Sequence, residues 1–239
     1  MKHKRIFNLV FALLALGVVL LFAQIKEVEP PPPPLTQEKE KPVEIMSTSS
    51  KKQRFLTTLV PVVSRVHTDL MQRYLQVQNW LELGRKQETI AKLKSEYKVR
   101  TDPELLQALK PHPPSVALAQ AAMESAWGTS RFFVEANNVF GVWSYNSNEA
   151  RIAAEQQRGD KTIWIRKYDS LEASVRDYYR LLGRSAAYKE FRQLRMRSAD
   201  PHELVKKLHR YSEKSHEYSK ELSSVIRYNE FTRFDDDPY

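Results

Sequence analysis

Cysteine is missing from all 239 residues, which excludes a disulfide scaffold, a thiolate-ligated zinc and a cysteine nucleophile. Glycine is scarce, with 6 in the chain, and β-branched residues rarely cluster, so an all-β protein is not expected. The 6 histidines stand apart, in no H-x-x-x-H or His/carboxylate pattern that would bind a metal. Glycine-rich phosphate loops and a G-x-S-x-G elbow are absent as well, so no metal or nucleotide cofactor is expected. The chain does have 41% hydrophobic and 10% aromatic residues, enough for a buried core in one or two domains.

The net charge of +9 is unevenly spread. Residues 51–100 hold 11 Lys+Arg against 4 Asp+Glu, whereas 101–239 hold 21 against 20. A basic excess confined to one helical stretch argues against a nucleic-acid footprint. It fits either a solvated helix face or contact with anionic phospholipid or a cell-wall polymer.

Lys2, Lys4 and Arg5 precede an uncharged apolar run from Ile6 to Ile25. A positive flank before about 20 apolar residues suits a membrane helix better than a signal core of 7–15. The bulky Leu21-Phe22-Ala23 end offers no small-residue cleavage site. An uncleaved anchor (1–25) is expected, with cleavage as the alternative. Residues 26–50 carry Pro30 to Pro34, mixed charges and no aromatic residue, so they are expected to form a disordered linker. Fully extended it would reach roughly 75–80 Å.

From Phe55 to Tyr97 apolar residues recur at three- and four-residue steps, which predicts helix. Pro61 predicts a start or kink there, Gly84 a break, and Thr89 to Tyr97 a second helix. Asp102 and Pro103 read as the N-cap and first position of the next. Residues 51–100 are thus a helical lead-in packed on a domain at 101–232, with an acidic tail at 233–239.

The informative stretch begins after Pro113-Pro114. With Ser115 as N-cap and Gly128 as the stop, Val116 to Trp127 forms a helix whose one charged residue is Glu124. A helix apolar almost all round is buried. Ala117, Ala121 and Gly128 share the stripe of Glu124 and leave open space beside it. Burial and the negative helix end both raise the pKa of Glu124, as a general acid for glycoside cleavage requires. Equally, such a glutamate suits a buried ion pair with Arg131.

Ala119-Gln120-Ala121-Ala122-Met123-Glu124-Ser125-Ala126-Trp127-Gly128, together with Asn137-Asn138-Val139-Phe140-Gly141, resembles the signature of glucosaminidase-domain peptidoglycan hydrolases. Further matches resemble the Bax-like branch of that family. They comprise Tyr168-Asp169-Ser170 before Asp177-Tyr178, Ala187-Tyr188 before Phe191-Arg192, Tyr211-Ser212-Glu213-Lys214, and Tyr218 before Glu221-Leu222. The likeness spans about residues 52–231. Ala126 and Ser215 stand where the family usually has glycine.

The resemblance implies a mainly α, lysozyme-like helical domain with a small β-hairpin lobe. It also implies endo-β-N-acetylglucosaminidase activity on the peptidoglycan glycan strand, with Glu124 as acid and Tyr211 as a substrate-contacting, catalytic tyrosine. In the family the β lobe carries a second acid, for which Glu155 is the candidate, with Glu149 behind it. Alternating residues from Lys161 to Tyr168 predict the hairpin itself. Trp143 and Tyr145 are candidates for stacking on sugar rings, and Trp127 for packing. Asn138 is a candidate for substrate contact, although asparagines in such a turn also bind backbone. Apolar stripes predict helices at 170–182, ending before Gly183, and at His216–Asn229, where Tyr218 falls on the buried face.

The expected partners are glycan strands and, through the N-terminal helix, the inner membrane, with no nucleic acid. The expected location is the periplasmic face of that membrane, or the periplasm if the segment is cleaved. The rival readings are a lytic transglycosylase and a non-catalytic wall-binding or scaffold protein.

Overall fold

In the computed structural model the described residues are 47–158, 161–211 and 216–235. The expected anchor and almost all of the expected linker lie outside them. Among the described residues no helix is long and apolar enough to cross a membrane, and no group of three or more His, Asp or Glu is placed to hold a metal ion. Thr48 onward forms one compact unit.

Helix α1 runs from Thr48 to Glu82, straight past the expected start at Pro61. Pro61 is exposed, so its ring meets solvent, and the buried stripe of Phe55, Leu59, Val63, Val66 and Val77 on either side carries the helix through. The helix also takes in residues 48–50 of the expected linker. Its C-terminal half packs with α2 (Gln87–Tyr97) and α3 (Asp102–Leu109) in a small cluster of Tyr74, Val77, Ile90, Leu93, Tyr97, Leu105, Ala108 and Leu109. The cap of α3 is Thr101, one residue earlier than expected, in a capping box with Glu104.

The N-terminal half of α1 lies against the main core. At its centre is α4 (Pro114–Glu124), in which every residue from Pro114 to Ala122 is buried. The same core takes in α6 (Leu171–Arg184), α7 (Lys189–Arg195), α8 (Pro201–Leu204), which runs on into a 3-10 turn to Leu208, and α9 (His216–Tyr228), together with Val139, Phe140, Tyr188 and Phe231. Ser115 does not cap α4. The helix starts at Pro114, two residues earlier than expected, and the Ser115 backbone N–H donates to the Asp235 carboxylate at 2.7 Å. Part of the acidic tail is therefore the acidic group at this helix N-terminus.

Gly183 does not end α6. A Cβ there would lie 2.6 Å from the Ala108 carbonyl oxygen, so the glycine permits close approach of α3 and continues inside the helix. Two antiparallel strands, β1 (Arg151–Arg158) and β2 (Lys161–Arg166), form the expected hairpin, with a register shift between Ala153 and Gln157. Arg166 fastens it to α6 through Asp177 at 2.8 Å, and the Tyr168 hydroxyl donates to the same carboxylate.

Candidate active site

Glu124 is the last helical residue of α4. The chain then reverses abruptly through Ala126, Trp127 and Gly128, which all take left-handed backbone, with φ of 49°, 60° and 72°. Ser125 clamps this turn. Its hydroxyl donates to the Ala121 carbonyl and accepts from the Gly128 N–H, while its carbonyl accepts from the N–H groups of Thr129 and Ser130. The ring of Phe133 closes on Gly128, where a Cβ would meet it at 3.3 Å. Trp127 packs edge-on against Phe55, as expected of a core residue, with Lys52 above its face.

Burial lifts the Glu124 carboxyl to a pKa of about 7, partly offset by a hydrogen bond from Tyr218. Part of the residue still reaches solvent. The ion pair with Arg131 is not formed: Arg131 binds Glu135 at 3.1 Å and the Ala153 carbonyl, which ties α5 (Arg131–Ala136) to the hairpin. Glu124 is therefore a largely buried carboxyl held by a phenol. It keeps its proton up to about pH 7 and is thus able to deliver one.

Tyr218 is the site residue that the sequence pattern hides. Its hydroxyl donates to Oε1 of Glu124 at 2.8 Å and accepts from the side-chain amide of Gln120 at 2.9 Å. A tyrosine on an apolar stripe reads as core, and Tyr218 is indeed buried. The available signal was Gln120 itself, a second polar residue on an apolar helix, one turn before Glu124 and on the same face.

Tyr211 stacks on Tyr218, with ring centres 5.9 Å apart and planes at 5°. Its hydroxyl lies 3.4 Å from the Phe140 carbonyl. Burial raises its pKa well above the ordinary value, and the charge of Glu124 adds to the shift. The phenol is therefore neutral and close enough to Glu124 to feel its charge.

The remaining candidates separate. Trp143 and Tyr145 lie together, centres 6.2 Å apart, with Tyr145 84% exposed. Asn138 is 1% exposed. Its amide donates to the Val142 and Arg166 carbonyls and accepts from the Val142 N–H. That side chain is spent on holding the turn that presents Trp143, in place of the expected sugar contact. Glu149 is bound to Arg166 at 3.0 Å, and bonds from Ser144 and Arg166 keep its carboxyl below the usual range. It is a structural anchor. Glu155 lies in β1, within the span of the register shift, and its side chain is outside the described part.

Comparison with known proteins identifies the family and the fold. The family described as glucosaminidase, mannosyl-glycoprotein endo-beta-N-acetylglucosaminidase, matches residues 101–231, more than half of the chain, and the chain belongs to that family. The exo-glucosaminidase LytG of Bacillus subtilis (strain 168) is 32% identical over 80 residues, which cover 31% of this chain and 28% of the relative. Among solved structures, the catalytic domain of the autolysin Auto from Listeria monocytogenes aligns with a TM-score of 0.51 at 20% identity. The alignment covers 80% of this chain and 92% of that one. An N-acetylmuramoyl-L-alanine amidase from Staphylococcus aureus aligns with a TM-score of 0.50 at 19% identity, over 81% and 45% of the two chains. These structural likenesses define a shared fold.

Proposed function

We propose that the chain hydrolyses the glycan strand of peptidoglycan as an endo-β-N-acetylglucosaminidase, with Glu124 as general acid. The observation that carries this reading is the environment of Glu124: a single carboxyl at the end of a buried helix, lifted to about 7 by burial and with no cation bound to it among the described residues. Family membership and the likeness to LytG support the substrate class. Glu124 delivers its proton to the glycosidic oxygen as the bond to the anomeric carbon breaks, and water completes the cleavage at that carbon.

Tyr211 holds the sugar at this centre, its neutral phenol being suited to an N-acetyl group or an ordered water. Trp143 and Tyr145 offer aromatic faces to neighbouring sugar rings. Glu155 is the candidate for a second carboxylate. In the inverting route the two carboxyl groups stand about 6.5–9.5 Å apart, and in the covalent route about 5–5.5 Å. If neither holds, the substrate acetamide acts as nucleophile with Tyr211 beside it. The apolar run of residues 6–25 anchors the chain in the inner membrane and the proline-rich segment carries the domain out to the wall.

The deciding experiment treats isolated peptidoglycan with the full-length chain, as wild type and Glu124→Gln, and reads the fragments by mass spectrometry. New reducing N-acetylglucosamine ends from wild type alone support the proposal. Anhydro-muramic ends make the protein a lytic transglycosylase. Wall binding without release, by a folded wild type, makes it a binding protein.

A further inference from the structure

Behind Glu124 a line of polar side chains crosses the core. Gln120 reaches Tyr218 with its amide nitrogen at 2.9 Å and Tyr178 with its amide oxygen at 2.5 Å. The Tyr178 hydroxyl lies 3.1 Å from Nε2 of His112, and all four side chains are buried. The imidazole is clamped by aromatic rings: Tyr179 stacks at 4.3 Å, and Tyr178 and Phe191 stand edge-on at 5.4 Å. Nδ1 of His112 has no hydrogen-bond partner among the described residues.

Each hydroxyl has one proton, so the line has two self-consistent directions. In one, His112 donates from Nε2 to Tyr178, Tyr178 to the Gln120 carbonyl, the Gln120 amide to Tyr218, and Tyr218 to Oε1 of Glu124. In the other, the Gln120 amide is turned over and every bond reverses. Glu124 must then donate its own proton from Oε1 to the Tyr218 hydroxyl, which leaves none for another acceptor. His112 must accept at Nε2 and place its proton on Nδ1, as a buried N–H with nothing to bind. Orphaned buried N–H groups are rarer and more costly than orphaned lone pairs. The first direction is therefore selected from the far end.

We propose that His112, acting through Tyr178, Gln120 and Tyr218, sets the direction of this chain so that Glu124 accepts at Oε1 and carries its acid proton on Oε2, the oxygen left for substrate. The proposal rests on Glu124 being the general acid. It makes His112, Tyr178, Gln120 and Tyr218 positioning residues, since none of them donates to substrate. His112 is kept neutral by burial, with the nearby cation of Arg195 and the ring of His67 acting the same way. The titratable groups that sense Glu124 are Tyr218 on α9, Tyr211 after Leu208, Tyr188 and Tyr178.

The test uses the full-length chain and two magnetic-resonance readouts that do not depend on turnover. Nitrogen-15 shifts of the imidazole should show His112 as the Nε2–H tautomer at neutral pH; the Nδ1–H tautomer overturns the proposal. With carboxyl-labelled glutamate, the Glu124 signal is identified by its loss in Glu124→Gln. In Tyr218→Phe it should titrate about one unit higher than in wild type, because the ionised form loses a charge-assisted hydrogen bond. Tyr178→Phe should move it the same way by less. A folded Tyr218→Phe with an unmoved titration sinks the idea, and if that variant does not fold, the His112 tautomer in wild type decides alone. Shifts as expected in a protein that releases no wall fragments leave the chain standing and remove the hydrolase reading.

Discussion

Replacing Glu124 with glutamine separates the chemistry of the site from its stability. In the folded protein the carboxyl titrates at about 7, against 4.5 for an ordinary glutamate. Between those values the native state holds a proton that the unfolded state has released, so stability falls as pH rises. Below about pH 4.5 both states are protonated and Glu124 costs nothing. Above about pH 7 both are ionised and the native state bears the whole penalty of a buried charge. The shift of about 2.5 units corresponds to ~3 kcal/mol at 1.36 kcal/mol per unit, and partial solvent contact brings this to about 2. Glu124→Gln has no charge to desolvate. Relative to wild type it should therefore gain about 2 kcal/mol between pH 4.5 and pH 8, and no more beyond. Urea unfolding of both proteins across that range measures the difference directly. A difference that does not change with pH, or one that grows in the opposite direction, refutes the reasoning about the buried carboxyl.

The same titration predicts that wall hydrolysis falls as pH rises above about 7, as Glu124 loses its proton, which a pH–rate profile on purified peptidoglycan checks. Ala126 carries a φ of 49° without the freedom of glycine, and Ala126→Gly should raise stability by about 1 kcal/mol in chemical denaturation. Gly183→Ala should lower it by about 1–3 kcal/mol, because the added methyl meets the Ala108 carbonyl. Tyr145→Ala, at an 84% exposed ring, should leave unfolding unchanged within about 0.5 kcal/mol while weakening binding to glycan fragments in calorimetry.

The candidate carboxyl was legible because charge is so rare on its helix: an apolar stretch with one glutamate states its own anomaly. Its partner was not, because tyrosine has an apolar ring and a polar tip, and periodicity registers only the ring. Tyr218 fits the buried stripe of α9 with Leu222 and Ile226, and its hydroxyl meets Glu124 only when folding brings the two together. Local rules failed in the same way elsewhere. Gly183 looked like a helix stop and is a contact point, because the carbonyl it meets belongs to another helix. Ser115 had the right chemistry for a cap, but Asp235, 120 residues away, supplies the carboxylate instead. Pro61 broke the pattern on paper, yet buried neighbours on both sides hold α1 together. The hairpin and the order of the helices were readable since each depends on residues close in sequence.

The bond from the Ser115 N–H to Asp235, and that from Tyr218 to Glu124 across 94 positions, bear on how the protein is made. α4 leaves the ribosome long before the residues that finish it. Until position 218 emerges, the carboxyl has no phenol beside it, and until position 235 emerges, the start of its helix lacks that aspartate. A partly synthesised chain, or one cut before α9, thus holds the glutamate with neither the phenol nor the aspartate, so the surroundings of Glu124 are completed late in synthesis, with α9 and the residues after it.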